Sequence, residues 1–253
     1  MTPIMTIEHL EKTYLGKVPC IALKNVNLRI QTGEFVAIMG PSGSGKSTLL
    51  NVISTIDRPT GGKVRINGED PFLMDDDALA HFRRSTLGFV FQDFNLIPTL
   101  TVGENIMLPL TLESVPKKEM ADRVAEIAAA IGITPLLEKR TYEISGGQAQ
   151  RTAVARAAVG KPALLLADES TGNLDSKAGK DVMTLFRKLN EERSTTILMV
   201  THDAYVASYC KRVLIIKDGE LYQEIRSGES QSAFYQKITD AIGLLEGDRH
   251  DAV

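Results

Sequence analysis

Cysteine is scarce in this chain: only Cys20 and Cys210 occur among 253 residues, far apart and without CxxC spacing. A disulfide framework or a zinc site is therefore unsupported, and two free thiols suit a reducing cytoplasm. Long apolar runs are missing too. Segments such as Ala163 to Ala167 and Val213 to Ile216 have only strand length, well short of the roughly 18 residues a membrane span needs. The opening Met1-Thr2-Pro3-Ile4 lacks the basic and apolar regions of a signal peptide. Positive charge is not in excess: the formal net charge is -3, and basic residues form only short clusters such as Arg83-Arg84 and Lys117-Lys118. A general nucleic-acid binder carries a basic balance or stripe, so no nucleic-acid partner is expected.

What is present reads as a globular α/β chain. Hydrophobic content of 43% and charged content of 24% are ordinary for such a protein. The length accommodates one large α/β domain, with or without an inserted lobe. Val26, Leu28 and Ile30 alternate with Asn27 and Arg29, which predicts a half-buried strand. Glu34 to Met39 is a short apolar run entering a glycine-rich loop, and Ser47 to Thr55 reads as helix. Lys63 to Ile66 reads as a strand closed by the turn Asn67-Gly68. Asp75 to Arg84 is expected to be helical, with Asp75 or Asp76 as its cap, and Leu87 to Phe91 a strand. From about residue 93 to 160 the chain reads as mainly helical; Val124, Ile127, Ala128 and Ile131 fall at helical spacing before Gly132. Strands return at Ala163 to Ala167, Thr195 to Val200 and Arg212 to Ile216, separated by helices, which predicts a mainly parallel sheet. A last helix is expected over Glu229 to Leu245, with a polar tail from 247 to 253.

Three segments carry chemistry. Gly40-Pro41-Ser42-Gly43-Ser44-Gly45-Lys46-Ser47, followed by Thr48, fits G-x-x-x-x-G-K-[ST] between an apolar strand and a helix. Glycines let the backbone turn its N–H groups toward phosphate oxygens, and the helix adds its positive end. In that setting Lys46 reaches the β- and γ-phosphates of ATP and Ser47 ligates Mg²⁺. Asp168 and Glu169 end an apolar strand, at the carboxyl edge where parallel sheets bind ligands. Two acids at a strand end also fit the start of a solvated loop. With Lys46 upstream, Asp168 is expected to hold Mg²⁺ and Glu169 to act as general base on water. Ser145-Gly146-Gly147-Gln148 lies 99 residues after Lys46 and 23 before Asp168. Ser-x-x-Gln is a helix capping box; it is also a glycine-bearing helix start that offers N–H groups to an anion.

Taken in order, these residues resemble the ATP-binding cassette family. That family has a phosphate loop, a glutamine after a strand, the Ser-Gly-Gly-Gln signature, an Asp-Glu pair and a histidine. The matching residues are Lys46, Gln92, Ser145 to Gln148, Asp168-Glu169 and His202, and the likeness runs from about residue 4 to 245. It implies a P-loop NTPase core with a mainly parallel sheet, an N-terminal antiparallel β layer and a helical lobe inserted at about 93–160, within one nucleotide-binding domain over 1–246. By the same likeness, Tyr14 stacks on adenine, although a lone tyrosine ending a strand also serves packing. Gln92 senses Mg²⁺, Asp175 in Asn173-Leu174-Asp175 contacts an opposite subunit, and His202 contacts the γ-phosphate. Two positions depart from the family habit: Ser170 replaces proline, and Ala149 replaces a polar residue.

The resemblance further implies a second copy of the chain, head to tail, with each ATP between Lys46 of one copy and Ser145 of the other. It implies an integral membrane permease whose cytoplasmic helices meet the lobe near Gln92. Phe94, Leu96, Ile97 and Leu100 either dock that partner or belong to the core. Leu87 to Gln92 and Asp168 to Asp175 look like the macrolide-efflux and lipoprotein-release branch. Asn51 to Asp57, Asp93 to Leu96, Ala207 to Cys210 and the C-terminal helix look more like bacitracin-resistance (BceA-type) ATPases, whose permease works with a sensor histidine kinase. That likeness implies a peripheral protein of the cytoplasmic membrane face, defending against peptide antibiotics that seize cell-wall lipid intermediates. The alternatives are lipoprotein-release, macrolide-efflux or haem-export ATPases with the same catalytic residues, and a non-transport cassette ATPase. A chromosome-maintenance cassette needs a long coiled coil, for which 99 residues leave no room.

Overall fold

The computed structural model describes residues 3–228 and 230–250, the last five by backbone alone. The chain divides into two compact units, residues 1–73 with 197–253, and residues 74–196. The expected start of the last helix, Glu229, and the end of the expected tail, 251–253, lie outside the described residues.

The first unit begins with β1 (Pro3–Tyr14) and β2 (Cys20–Gln31), followed by β3 (Phe35–Met39), α1 (Lys46–Ile53) and β4 (Gly61–Ile66). The strands β2-β1-β4 form an antiparallel sheet in that order, with Ile7 opposite both Leu28 and Val64. The alternation along β2 has its expected cause: Val26, Leu28 and Ile30 are buried while Asn27 and Arg29 face water. All five residues of β3 are buried. It runs parallel to β7 (Ile197–Val200) and to β8 (Arg212–Lys217), one on each side. Burial on both faces explains why these three strands read as continuous apolar runs. β9 (Glu220–Arg226) returns antiparallel to β8 through Asp218-Gly219, both at positive φ, the conformation of a tight hairpin turn. Between β7 and β8 lies the short α7 (Ala204–Ala207). The last helix, α8 (Gln231–His250), buries Phe234, Ile238, Ala241 and Leu245, one stripe at helical spacing. It runs into the segment read as tail.

The second unit holds α2 (Asp76–Thr86), β5 (Leu87–Val90), α3 (Val102–Leu112), α4 (Lys117–Ala130), α5 (Gly146–Ala158), β6 (Leu164–Asp168) and α6 (Ser176–Arg193). Asp75 caps α2, accepting from Ala78 N at 2.8 Å. β5 and β6 pair in parallel, Val90 beside Ala167. α3 starts in a capping box of Thr101 and Glu104. α4 stops just before Gly132, which takes φ +71°. α5 lies against α3 and β5 and buries all five of its alanines. The approach to β5 is close: a Cβ on Gly88 would meet Ala157 O at 2.4 Å. No described helix is long and apolar enough to cross a membrane.

Cys20 is exposed and Cys210 buried, both free; burial pushes the Cys210 thiol well above its usual range.

Because the obstruction at Gly88 is backbone, Gly88→Ala must displace α5 or β5. We expect a loss of about 2 kcal/mol in urea unfolding. A loss below about 0.5 kcal/mol would contradict this packing.

Candidate functional site

The loop between β3 and α1 is shaped by glycine. Gly40, Gly43 and Gly45 all have positive φ, and a Cβ on Gly40 would meet Ile216 O at 2.1 Å. Gly45 is the N-cap residue of α1 and offers no side chain, so the N–H groups of the first turn keep their donors for an anion. Lys46 reaches back over the loop, its Nζ donating to Gly40 O and Pro41 O at 2.9 Å each. Ser44 is buried with its hydroxyl unpartnered. Such a group costs about 1–3 kcal/mol unless something completes it. A cradle of backbone N–H groups, one lysine and one orphan hydroxyl fits a phosphate chain. Exposed Ser47 stands in the first turn of α1, and Thr48 follows it.

His202 belongs to the same sheet edge. β3 and β7 are parallel with Ile38 beside Val200, so the phosphate loop and Thr201-His202-Asp203 leave adjacent strands on the same side. His202 is exposed, and Asp203 caps α7 by accepting from Tyr205 N at 2.7 Å.

Tyr14 ends β1, with its ring partly exposed. Its hydroxyl donates to Asp57 Oδ2 at 2.7 Å, and Lys12 Nζ sits 4.7 Å from the ring centre. Lys12 in turn donates to Asp57 Oδ1 at 2.5 Å and to Arg58 O at 2.8 Å. Burial and the hydrogen bond to Asp57 raise the Tyr14 phenol. Burial pushes the Asp57 carboxyl up, but the hydrogen bonds and charge supplied by Lys12 and Tyr14 outweigh it and hold Asp57 below its usual range. The sequence singled out Tyr14 but neither member of the pair that fixes its ring.

In the second unit, β5 and β6 deliver Gln92 and the Asp168-Glu169 pair to one edge, because the two strands are parallel and in register. Gln92 Nε2 donates to Asn173 Oδ1 at 3.3 Å, and Asn173 Nδ2 donates to Asp93 Oδ1 at 2.8 Å. Glu169 has φ +41°, uncommon for a residue with a side chain. Gly172 N donates to Glu169 O at 2.8 Å and closes the turn. Ser170 is buried; its carbonyl accepts from Gln150 Nε2 at 2.6 Å, while its own hydroxyl has no partner. Asp175 caps α6, accepting from Lys177 N and Ala178 N at 2.9 Å each. That local duty comes in addition to the contact expected of it.

The signature starts α5 as a reciprocal box: Ser145 N donates to Gln148 Oε1 at 2.9 Å, and Gln148 N to Ser145 Oγ at 3.3 Å. A Cβ on Gly147 would stand 3.0 Å from Ala178 Cβ, so glycine lets α5 begin tight against α6. Beside it opens a cavity of about 330 Å³, lined among others by Gly146, Arg151, Asp175 and Lys177. Ala149 is buried on this helix. Of the apolar residues after Gln92, none reaches the core: Phe94, Leu96 and Leu100 are half-buried, and Ile97 is 38% exposed.

The model of the family described as ABC transporter matches residues 23–172. The chain belongs to the ABC transporter family. It is similar to the ABC transporter ATP-binding protein YxdL of Bacillus subtilis, 57% identical over 251 residues, 99% of this chain and 98% of that protein. It is also similar to the bacitracin export ATP-binding protein BceA of Halalkalibacterium halodurans, 46% identical over 230 residues, 90% of this chain and 91% of that protein. Among solved structures, the post-hydrolysis dimer of the cassette MJ0796 with ADP and Pi has TM-score 0.79 and 44% identity, covering 89% of this chain and all of that one. The chain is thus an ABC transporter ATPase domain of α/β fold.

Asp57→Asn leaves the Lys12 charge buried without its counterion, so we expect a loss of about 2 kcal/mol in urea unfolding at neutral pH. Since Asp57 is depressed in the folded state, its contribution is intact above the unfolded carboxyl value of about 3.9 and disappears as pH falls through the lower folded value. The difference between the two proteins is therefore constant from about pH 6 to 8 and shrinks below about pH 4. Equal stability at pH 7 would contradict the assignment.

Proposed function

We propose that two copies of this chain bind Mg-ATP head to tail at the cytoplasmic face of the membrane and hydrolyse it to drive a separate integral permease, in resistance to peptide antibiotics that seize cell-wall lipid intermediates. The observation that carries the catalytic part is the pair of glycine-bearing helix starts, at α1 and α5, each suited to phosphate oxygens. Residues 40–48 take the phosphates, with Lys46 as the charge that follows the γ-phosphate. Tyr14 takes the adenine. Ser145, Gly146, Gly147 and Gln148 meet the γ-phosphate held by the other copy, with Asp175 at the contact between copies. Ser47, Gln92 and Asp168 would hold Mg²⁺, which would supply positive charge to the phosphates. Glu169 accepts a proton from water as its oxygen bonds to the γ-phosphorus and the bond to the bridging oxygen of ADP breaks. His202 orients the γ-phosphate.

Support for the permease comes from the second unit. A cavity of about 390 Å³ beside the Gln92 segment is lined by Phe89, Phe91, Ile97, Leu108, Leu112 and Pro162, among others. Its apolar lining suits an amphipathic helix of the permease. Support for the antibiotic role is the likeness to a bacitracin export ATPase over nearly the whole chain. A sensor histidine kinase joined through the permease belongs to this reading.

Two experiments test it. Glu169→Gln should lower phosphate release by at least about 100-fold while keeping ATP affinity, whereas Lys46→Ala should lose affinity itself, measured by nucleotide titration. Undiminished turnover by Glu169→Gln would remove the general base. Glu169→Gln purified from native membranes with Mg-ATP should bring down a multi-span protein with a large extracellular domain, together with a histidine kinase. A four-span protein without the kinase would move the role to lipoprotein release or macrolide efflux, and soluble partners alone would overturn the transport role.

A further inference from the structure

We infer that Gln150, which lies outside the phosphate loop, the signature and the acidic pair, is a positioning residue for hydrolysis. Its side chain ties the signature helix to the backbone on which Glu169 and Gln92 sit. Gln150 lies one turn into α5 and is 0% exposed. Its amide Nε2 donates to Ser170 O at 2.6 Å and, over a longer 3.4 Å, to Phe91 O. Ser170 directly follows Glu169, and Phe91 directly precedes Gln92. One buried amide thus bridges the two segments that leave the β5 and β6 edge. Two carbonyls around Nε2 also fix which end of the amide is the donor.

The geometry it serves is demanding. Glu169 sits at φ +41°, a conformation held only when its surroundings over-determine it. One clamp is local, Gly172 N on Glu169 O. Another is Gln150 on the next carbonyl, and it comes from a helix 20 positions away in sequence. Core packing alone does not explain the choice of glutamine. Gln150 Oε1 is buried with no partner, as is Ser170 Oγ beside it in the chain segment it grips. A residue retained for stability would avoid an orphan acceptor; one retained for its donor tolerates it. Because α5 opens with Ser145-Gly146-Gly147-Gln148, any shift of that helix reaches the carboxylate through this bond.

The inference rests on Glu169 being the base, so Gln150→Met and Glu169→Gln are compared in parallel, as full chains purified alone and in native-host membranes. Methionine keeps the shape and removes both the donor and the orphan acceptor. For Gln150→Met we expect a turnover rate about 10- to 100-fold lower, ATP half-saturation within about threefold, and a thermal midpoint lowered by no more than a few degrees, since Ser170 O loses its donor while the orphan Oε1 is removed. In sedimentation with Mg-ATP both Gln150→Met and Glu169→Gln should accumulate an ATP-bound dimer. Should Met prove unfolded, Gln150→Leu carries the same comparison. Unchanged turnover in a folded variant, or a loss matched by weaker ATP binding and a thermal midpoint lowered by more than that, would overturn the positioning role. Full turnover by Glu169→Gln would instead overturn the reading of Glu169, independently of what Gln150→Met does.

Discussion

The first turn of α1 presents backbone N–H groups that no side chain caps, and much of the first unit is arranged around that requirement. Amides left so at a helix start favour an anion. The loop that delivers them must curl within a few residues, hence three glycines at positive φ and a backbone approach to Ile216 O that excludes any Cβ at Gly40. The loop must also emerge from a strand fixed on both sides, and β3 between β7 and β8 provides that. The same parallel register sets His202 on that edge.

The second unit meets a different constraint. Its functional backbone, around Gln92 and Glu169, lies beyond the strands, where no ladder holds it. Side-chain amides replace the ladder: Asn173 grips Asp93, Gln92 reaches Asn173, and Gln150 takes the carbonyls on either side. Polar groups in an alanine-rich interior are costly when incomplete. The unpartnered atoms of Gln150 and Ser170 mark where positioning has been favoured over stability. Ser170, where the family habit is proline, keeps the one atom that this arrangement uses, its carbonyl oxygen.

Most regular elements of the core were legible because their physics is local; β1 was not, because register shifts along it break its alternation of buried and exposed residues. Alternation announced β2, buried runs announced β3, β6, β7 and β8, and Asp75 announced α2. β9 was not legible: it is a polar strand with one buried residue, so only its Asp218-Gly219 turn carried a signal. The motif residues were legible as types at a spacing. Their partners were not, since Lys12 meets Asp57 across 45 positions and Gln150 meets Phe91 across 59. Such contacts depend on how sheets and helices stack, which no window of sequence reports. The capping duty of Asp175 was legible in principle, as an Asp before a helix, but its place in a family motif drew attention to another role.

The central claim is that both glycine-bearing helix starts receive nucleotide phosphate, one in each copy. Amide hydrogen exchange on the Glu169→Gln chain, with and without Mg-ATP, tests it most directly. The account predicts protection of residues 42–48 by Mg-ATP, and protection of residues 146–148 that grows with protein concentration as copies pair. Protection of residues 42–48 with unchanged exchange at 146–148 at every protein concentration would contradict it.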